Sequence, residues 1–431
     1  MASEARWPLP GEAPSTEDLS RCVHCGLCLS SCPTYLVTGL EVESPRGRIH
    51  FAKLIDEGRS DLTPAIARHW ELCLQCRACE AVCPSGVAYG RIQEHARAQI
   101  GATAPMGRVQ RRLRRFVLRN VVARPRVLAA AISPLRWSAG STLRRVVRRS
   151  GLLRLLGRLE AGERQLPGRV GRPFRPGEDL AQPDTAKGRA LLFSGCVMGE
   201  LFGEVHRATG RVLARAGIAC DAPGGQGCCG ALHAHDGDLE FARKLARRNI
   251  AAFEGSDLPI VVNSAGCGAA MKEYGDLLAG DPAWAKRART LAARVKDPSE
   301  YLVSLGTSAG GRLKARVTYQ DPCHLAHAQG IRAQPRELLG GIAGCELVET
   351  PGADVCCGAA GIYSVVQPEM SAALRSRKAE QFREARPDIV VTANPGCQLQ
   401  FNAAVDDAGV GARVLHLMEA LDEAQTAAER G

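Results

Sequence analysis

Gln226-Gly-Cys-Cys-Gly-Ala-Leu232 sets two cysteines side by side ahead of a glycine, and Val355-Cys-Cys-Gly-Ala-Ala-Gly361 repeats the device. Adjacent cysteines rarely bridge to each other, because so small a ring strains the disulfide. Working outward, the flanks repeat as well. Ala190–Cys196 (ALLFSGC) and Arg316–Cys323 (RVTYQDPC) each end an apolar run on a cysteine. Helical patterns follow, Val205–Gly217 in the first unit and Glu337–Gly344 in the second, then IACDAP and CELVETP. After each Cys-Cys-Gly comes another helical pattern, Phe241–Phe253 and Met370–Phe382. Each unit closes on an apolar run and a cysteine, LPIVVNSAGC to Cys267 and DIVVTANPGC to Cys397. The intervals agree: Cys196 to Cys228 is 32 and Cys323 to Cys356 is 33, Cys229 to Cys267 is 38 and Cys357 to Cys397 is 40. Continuous apolar runs alternating with helices predict buried parallel strands, hence two small α/β lobes. Ligands of such lobes gather beyond the C-terminal strand ends, where Cys196, Cys267, Cys323 and Cys397 fall.

Two further cysteine runs lie near the N-terminus. CVHCGLCLSSCP supplies Cys22, Cys25, Cys28 and Cys32, and CLQCRACEAVCP supplies Cys73, Cys76, Cys79 and Cys83. Each is C-x2-C-x2-C-x3-C-P, the spacing of two-cluster ferredoxins, in which the fourth cysteine crosses to the other cube. One [4Fe–4S] cluster is thus expected on Cys22, Cys25, Cys28 and Cys83, the other on Cys73, Cys76, Cys79 and Cys32. A zinc site needs four ligands, usually as two C-x2-C knuckles, and fits a doubled triple run poorly. His24, inside the first run, is expected exposed on its loop. Arg46 and Arg48 face either the clusters or solvent.

The chain has 431 residues and 18 cysteines, 45% hydrophobic residues but only 4% aromatic ones, so its cores are mostly aliphatic. No apolar core of a signal peptide opens the sequence and no run of 18 apolar residues crosses a membrane. A cytoplasmic chain keeps few structural disulfides, which favours metal ligation. The net charge of +11 is uneven: Arg108–Arg175 holds 19 arginines against Glu160 and Glu163. Val109, Leu113, Phe116, Val117 and Val121 recur at helical spacing among arginines, and Leu143–Leu159 repeats the theme. Basic amphipathic helices suit an anionic membrane surface or an acidic partner; a solvated face on packed helices is the plainer reading, and both stay open. Nucleic acid is not expected, since Phe116, Trp137 and Phe174 are the insert's only aromatics. Arg164–Arg189 reads as a Pro/Gly linker. The expected architecture is a small, largely helical ferredoxin-type domain (1–100), a basic helical connector (101–185) and tandem α/β lobes (186–310 and 311–431).

With CVHCGLCLSSCPTY, ESPRGRIHF, CLQCRACEAVCPSGV, GCCGALHAH, NSAGCGAAMKEYG, DPCHLAHAQG, CCGAAGIYSV and TANPGCQLQ in hand, the chain resembles the iron–sulfur subunits of glycolate oxidases. These stand within the heterodisulfide-reductase-related CCG-domain family. The resemblance spans nearly the whole length. It implies electron relay from an FAD-binding dehydrogenase subunit, which oxidises glycolate to glyoxylate, towards a quinone or other membrane acceptor. FAD then sits only on the partner, this chain carries no catalytic residue, and the location is cytoplasmic, peripheral on the inner membrane face. Lactate or glycerol-3-phosphate dehydrogenase equivalents are the neighbouring readings. A thiol–disulfide or heterodisulfide reductase is the other alternative. Those relatives close each lobe with C-x2-C, whereas Gly268–Ala270 follow Cys267 here and Gln398–Gln400 follow Cys397. Four thiolates per lobe remain, Cys196, Cys228, Cys229 and Cys267, and Cys323, Cys356, Cys357 and Cys397. Each set is enough for one further cluster, and an empty lobe stays open. Cys220 and Cys345 suit strand cores. His233, His235, His324 and His327 are open between ligand, proton donor and surface residue.

Overall fold

The computed structural model describes residues 7–103, 108–138 and 170–430; the second basic segment, Leu143–Leu159, lies outside them. The N-terminal part is helical. Its main helices are α1 (Pro45–Asp56) and α2 (Tyr89–Thr103), with the two cysteine runs as loops around them. Ser44 caps α1 by accepting from Gly47 N at 3.1 Å, and Pro45 occupies the first turn, where its missing N–H costs nothing. The connector forms α3 (Arg108–Val117) and α4 (Pro125–Ser138).

The first lobe runs β1 (Gly188–Leu192), α5 (Gly203–Arg215), β2 (Ile218–Asp221), α6 (Leu239–Phe253), β3 (Ile260–Val261), α7 (Ala265–Lys272) and β4 (Val295–Lys296). The second runs β5 (Arg312–Tyr319), α8 (Ala333–Gly340), β6 (Ala343–Leu347), α9 (Pro368–Ala385), β7 (Ile389–Thr392), α10 (Pro395–Ala408), β8 (Arg413–His416) and α11 (Leu417–Glu429). Each sheet has four parallel strands, in the orders β2-β1-β3-β4 and β6-β5-β7-β8. The same order twice is the structural form of the sequence repeat. Buried runs such as Ile389–Thr392 fill strands covered on both faces. Cys220 is buried in β2 and Cys345 half-buried in β6.

The lobes share one core. Leu192, Val205 and Leu213 of the first pack in a single cluster with Val317, Val391 and Leu421 of the second. Helix α11 lies on α5, with Asp422 paired to Arg211 and Arg215 at 2.7 Å each. Buried Asn263 ties the halves polarly: its Nδ2 donates to His206 Nδ1 at 3.1 Å and its carbonyl accepts from His416 Nε2 at 2.9 Å. Burial holds both histidines neutral, His206 down to about 3 and His416 to about 4.

Two expectations about the connecting segments are corrected. Helix α3 turns Arg111, Arg114 and Arg115 inward, onto acids. Arg114 meets Asp236 at 2.5 Å, Arg111 meets Glu71 at 2.9 Å, and just past α3 Arg119 meets Asp238 at 2.6 Å. Its apolar side faces out, with Val109 80%, Leu113 61% and Phe116 60% exposed. Asp236 and Asp238 are nearly buried, and a buried carboxylate needs a paired cation more than an apolar stripe needs cover. Nor is Arg164–Arg189 a free linker where it is described. Phe174 and Leu180 are buried in the lobe core, and Phe174 N donates to Gly199 O at 2.8 Å. The strap passes so close to Gly203 that a Cβ there would sit 2.3 Å from Arg172 O.

Candidate metal centres

The leading cysteines of each N-terminal run lie on a curled loop, which in the second run passes into a short helical turn, Ala78–Ala81, that carries Cys79. His24 (φ 56°) and Gly26 (φ 86°) in one loop match Gln75 (φ 55°) and Arg77 (φ 64°) in the other. Three of these four are not glycine, so the left-handed turns carry strain that the surrounding structure must hold. One cavity is lined by Cys22, Cys25, Cys28 and Cys83. A second is lined by Cys32, Cys73, Cys76 and Cys79, and Cys79 also reaches the wall of the first. The chain thus brings each run's fourth cysteine to the other run's cavity. Cys73 Sγ accepts from Gln75 N at 3.4 Å and from Tyr89 Oη at 3.6 Å. Burial pushes the Cys76 and Cys79 thiols well up. Such thiols stay protonated unless a metal supplies the positive charge that deprotonates them.

Arg46 and Arg48 divide. Arg46 borders the first cavity, donating from Nη1 to His24 O at 3.1 Å and pairing with Glu41 at 2.6 Å. Arg48 borders the second, buried, paired with Glu43 at 2.9 Å and donating to Thr34 Oγ1 at 3.2 Å. His24 is half-buried against His50, with ring centroids 5.8 Å apart, rather than exposed.

In the lobes each set of four gathers beyond the strand ends. Cys229 Sγ lies 3.3 Å from Cys267 Sγ, and the buried free thiols of Cys196 and Cys228 neighbour each other. Cys323 Sγ lies 3.9 Å from Cys356 Sγ, and Cys357 Sγ lies 3.7 Å from Cys397 Sγ. One thiol of each adjacent pair is pulled well down, Cys228 by Cys196 and Cys229, Cys357 by Cys356 and Cys397. Cys267 and Cys397 sit in the first turns of α7 and α10. Among the described residues, no three His, Cys, Asp or Glu side chains are grouped as a single metal ion would need.

The sets adjoin one another. Leu74 and Cys76 share a buried cluster with Cys356, Tyr363 and Leu374, and Cys323 packs against it. His324 Nε2 donates to Gln75 O at 2.9 Å across the same boundary. From the second lobe to the first, Asn394 Oδ1 accepts from Gly266 N at 3.2 Å, while its Nδ2 donates to Cys397 Sγ at 3.5 Å. The connector covers the far side: Ala123 and Leu128 pack with Cys196 and Cys228.

None of the four candidate histidines is a free surface residue. His233 is fully buried against Phe241 and beside Cys228, whose thiol it helps pull down. His235 Nδ1 lies 3.0 Å from Glu94, and His327 Nε2 donates to Asp354 O at 3.0 Å. A cavity of about 640 Å³ opens between the ferredoxin-type domain and the first lobe, bordered by Cys229, Arg77, His235, His324 and Glu273. Burial pushes Glu273 up to about 7 against the opposing pull of Arg77. Glu273 and Arg77 escaped the sequence reading, because nothing in their local spacing marks them as neighbours.

Comparison with known proteins gives the same layout. Residues 18–87 match a 4Fe-4S dicluster domain, and residues 190–272 and 317–402 match a cysteine-rich domain. Residues 109–166 match the linker region of the glycolate oxidase iron–sulfur subunit. A probable glycolate oxidase iron–sulfur subunit of Bacillus subtilis is 38% identical over 94% of both chains. The chain belongs to the glycolate oxidase iron–sulfur subunit family. The Escherichia coli glycolate oxidase iron–sulfur subunit is 32% identical over 90% of both chains. A fumarate reductase (CoM/CoB) subunit of Methanothermobacter marburgensis is 28% identical over 96% of this chain and 74% of its own. As a family member this is an iron–sulfur, electron-transferring component of an oxidoreductase, and the reductase alternative gives way to that reading.

Proposed function

We propose that the chain carries electrons from an FAD-bearing partner that oxidises glycolate to glyoxylate and delivers them to a quinone acceptor at the membrane. The observation that carries this reading is the unbroken series of thiol sets: two sharing Cys79 at their walls, the second packed on Cys323 and Cys356, and that lobe bonded to the next through Asn394. In this reading Cys22, Cys25, Cys28 and Cys83 hold one [4Fe–4S] cluster, and Cys73, Cys76, Cys79 and Cys32 hold the other. Cys196, Cys228, Cys229 and Cys267, and Cys323, Cys356, Cys357 and Cys397, hold one further iron–sulfur centre per lobe. The donor sets fit such groups: all are thiols, several buried ones are too weakly acidic to ionise unaided, and peptide N–H groups approach the sulfurs. Bound there, the clusters supply one-electron carriers. The chain orients the thiolates, keeps water from them with Leu74, Tyr363 and the connector, and fixes the order in which they adjoin.

The 640 Å³ cavity at Cys229 is of a size that takes a small acceptor, and Glu273 with the Glu94–His235 pair places exchangeable protons on its wall. The outward stripe of α3, with Arg112 exposed beside it, suits the boundary between headgroups and acyl chains, which favours a peripheral seat on the inner face of the cell membrane. No described helix is long and apolar enough to cross a membrane. Reconstitution tests the function. Glycolate-dependent quinone reduction is expected only when the purified chain is combined with its flavoprotein partner. Glycolate oxidation by the chain alone would overturn the reading.

A further inference from the structure

At one matched helix position the two lobes differ in buried charge. Four residues before the matched, buried Phe253 and Phe382 stand Asn249 in α6 and Lys378 in α9. Asn249 is neutral and satisfied: its Oδ1 accepts from Gly227 N at 2.9 Å, and its Nδ2 donates to Cys228 O at 2.9 Å and Tyr274 Oη at 3.0 Å. Lys378 is 2% exposed. Its Nζ donates to Gln320 Oε1 at 2.8 Å, Gly352 O at 2.8 Å and Ala353 O at 3.1 Å.

Three acceptors around one nitrogen match the three donors of an ammonium; a neutral amine would turn a lone pair towards an oxygen. All three partners are uncharged. Among the described residues no carboxylate pairs with Lys378, so its charge is buried without a conventional counter-ion, an arrangement that normally costs several kcal/mol. Burial pulls Lys378 down to about 8, and the negative groups that oppose it are, in order, Cys357, Cys356, Cys397 and the more distant carboxylate of Asp354.

We propose that Lys378 is a positioning residue, the fixed counter-charge of the second lobe's redox centre, and that it makes that centre easier to reduce than the one in the first lobe. This rests on the reading that the lobes hold iron–sulfur centres. Adding an electron makes a thiolate-bound cluster more negative, and a cation held in low dielectric beside it favours that state. Nothing of the kind stands at the matching position of the first lobe, where the amide of Asn249 braces the Cys228 carbonyl instead. The series of centres is therefore not electrically uniform, although its two lobes share a fold and a thiol count.

Redox titration of the anaerobically purified chain, followed by EPR, tests this. In Lys378→Gln, which keeps a hydrogen-bond donor but no charge, one lobe signal should show at least a tenfold lower reduced-to-oxidised ratio at the wild-type midpoint, about 59 mV for a one-electron couple. Lys378→Arg, which restores the charge, should bring the ratio back to within about threefold. Loss of lobe iron from the Gln variant alone, with the Arg variant loaded, leads to the same conclusion. Unchanged midpoints at unchanged iron content would overturn the proposal, and equal iron loss from both variants would assign Lys378 to folding instead. A wild-type iron count of about eight, enough for the two ferredoxin-type clusters alone, would sink the occupancy of the lobes and this proposal with it.

Discussion

Arg48 has only 1% of its side chain exposed and Glu43, its partner, 9%. The same Glu43 accepts from His69 Nδ1 at 2.6 Å, and Arg48 Nε donates to His69 O at 2.6 Å. This closed group braces α1 against the second thiol set. Arg48→Leu leaves Glu43 buried without its cation, and a loss of about 3–5 kcal/mol of stability is expected in denaturant unfolding. A loss under about 1 kcal/mol would show that the pair is not structural. At this scale the cysteine sets were legible in the sequence, because their spacing repeats between the two N-terminal runs and between the two lobes. Arg48, Lys378 and Glu273 were not. Their roles come from partners 5, 58 and 196 residues away, Glu43, Gln320 and Arg77, and no local pattern encodes such meetings.

At the scale of elements, strands and helices of the two lobes could be read directly, since apolar runs and 3.6-residue patterns alternate twice at matched intervals. The connector could not. Amphipathicity fixes that α3 has two faces, and not which one turns inward; Glu71, Asp236 and Asp238, distant in sequence, decide that. The strap over residues 170–187 hid its anchors, Phe174 and Leu180, among turn-forming residues. The outward stripe carries a prediction. Leu113→Asp with Phe116→Asp removes two exposed apolar side chains, each able to contribute about 1.5–3 kcal/mol when buried. Co-sedimentation with anionic phospholipid vesicles should fall at least about tenfold, with thermal stability unchanged. Equal vesicle binding by wild type and variant would contradict a membrane role for α3.

For the whole molecule, the repeat announced two lobes, but neither their shared core nor the order of contact among the thiol sets was visible in it. Helix α11 closes on the first lobe, and Asn263 links His206 to His416, so the lobes move as one body rather than as beads on a linker. That rigidity suits a relay, because electron transfer depends on fixed separations between carriers. The ferredoxin-type domain is likewise locked on, through Gln75 Nε2 to His235 O at 2.9 Å and Tyr363 Oη to Leu72 O at 2.7 Å. The central claim is that all four thiol sets are iron–sulfur sites. Counting iron and acid-labile sulfide on the anaerobically purified chain, with EPR of the reduced protein, tests it most directly. The account predicts about twelve to sixteen irons per chain with matching sulfide; about eight irons, or zinc in place of iron and sulfide, would contradict it.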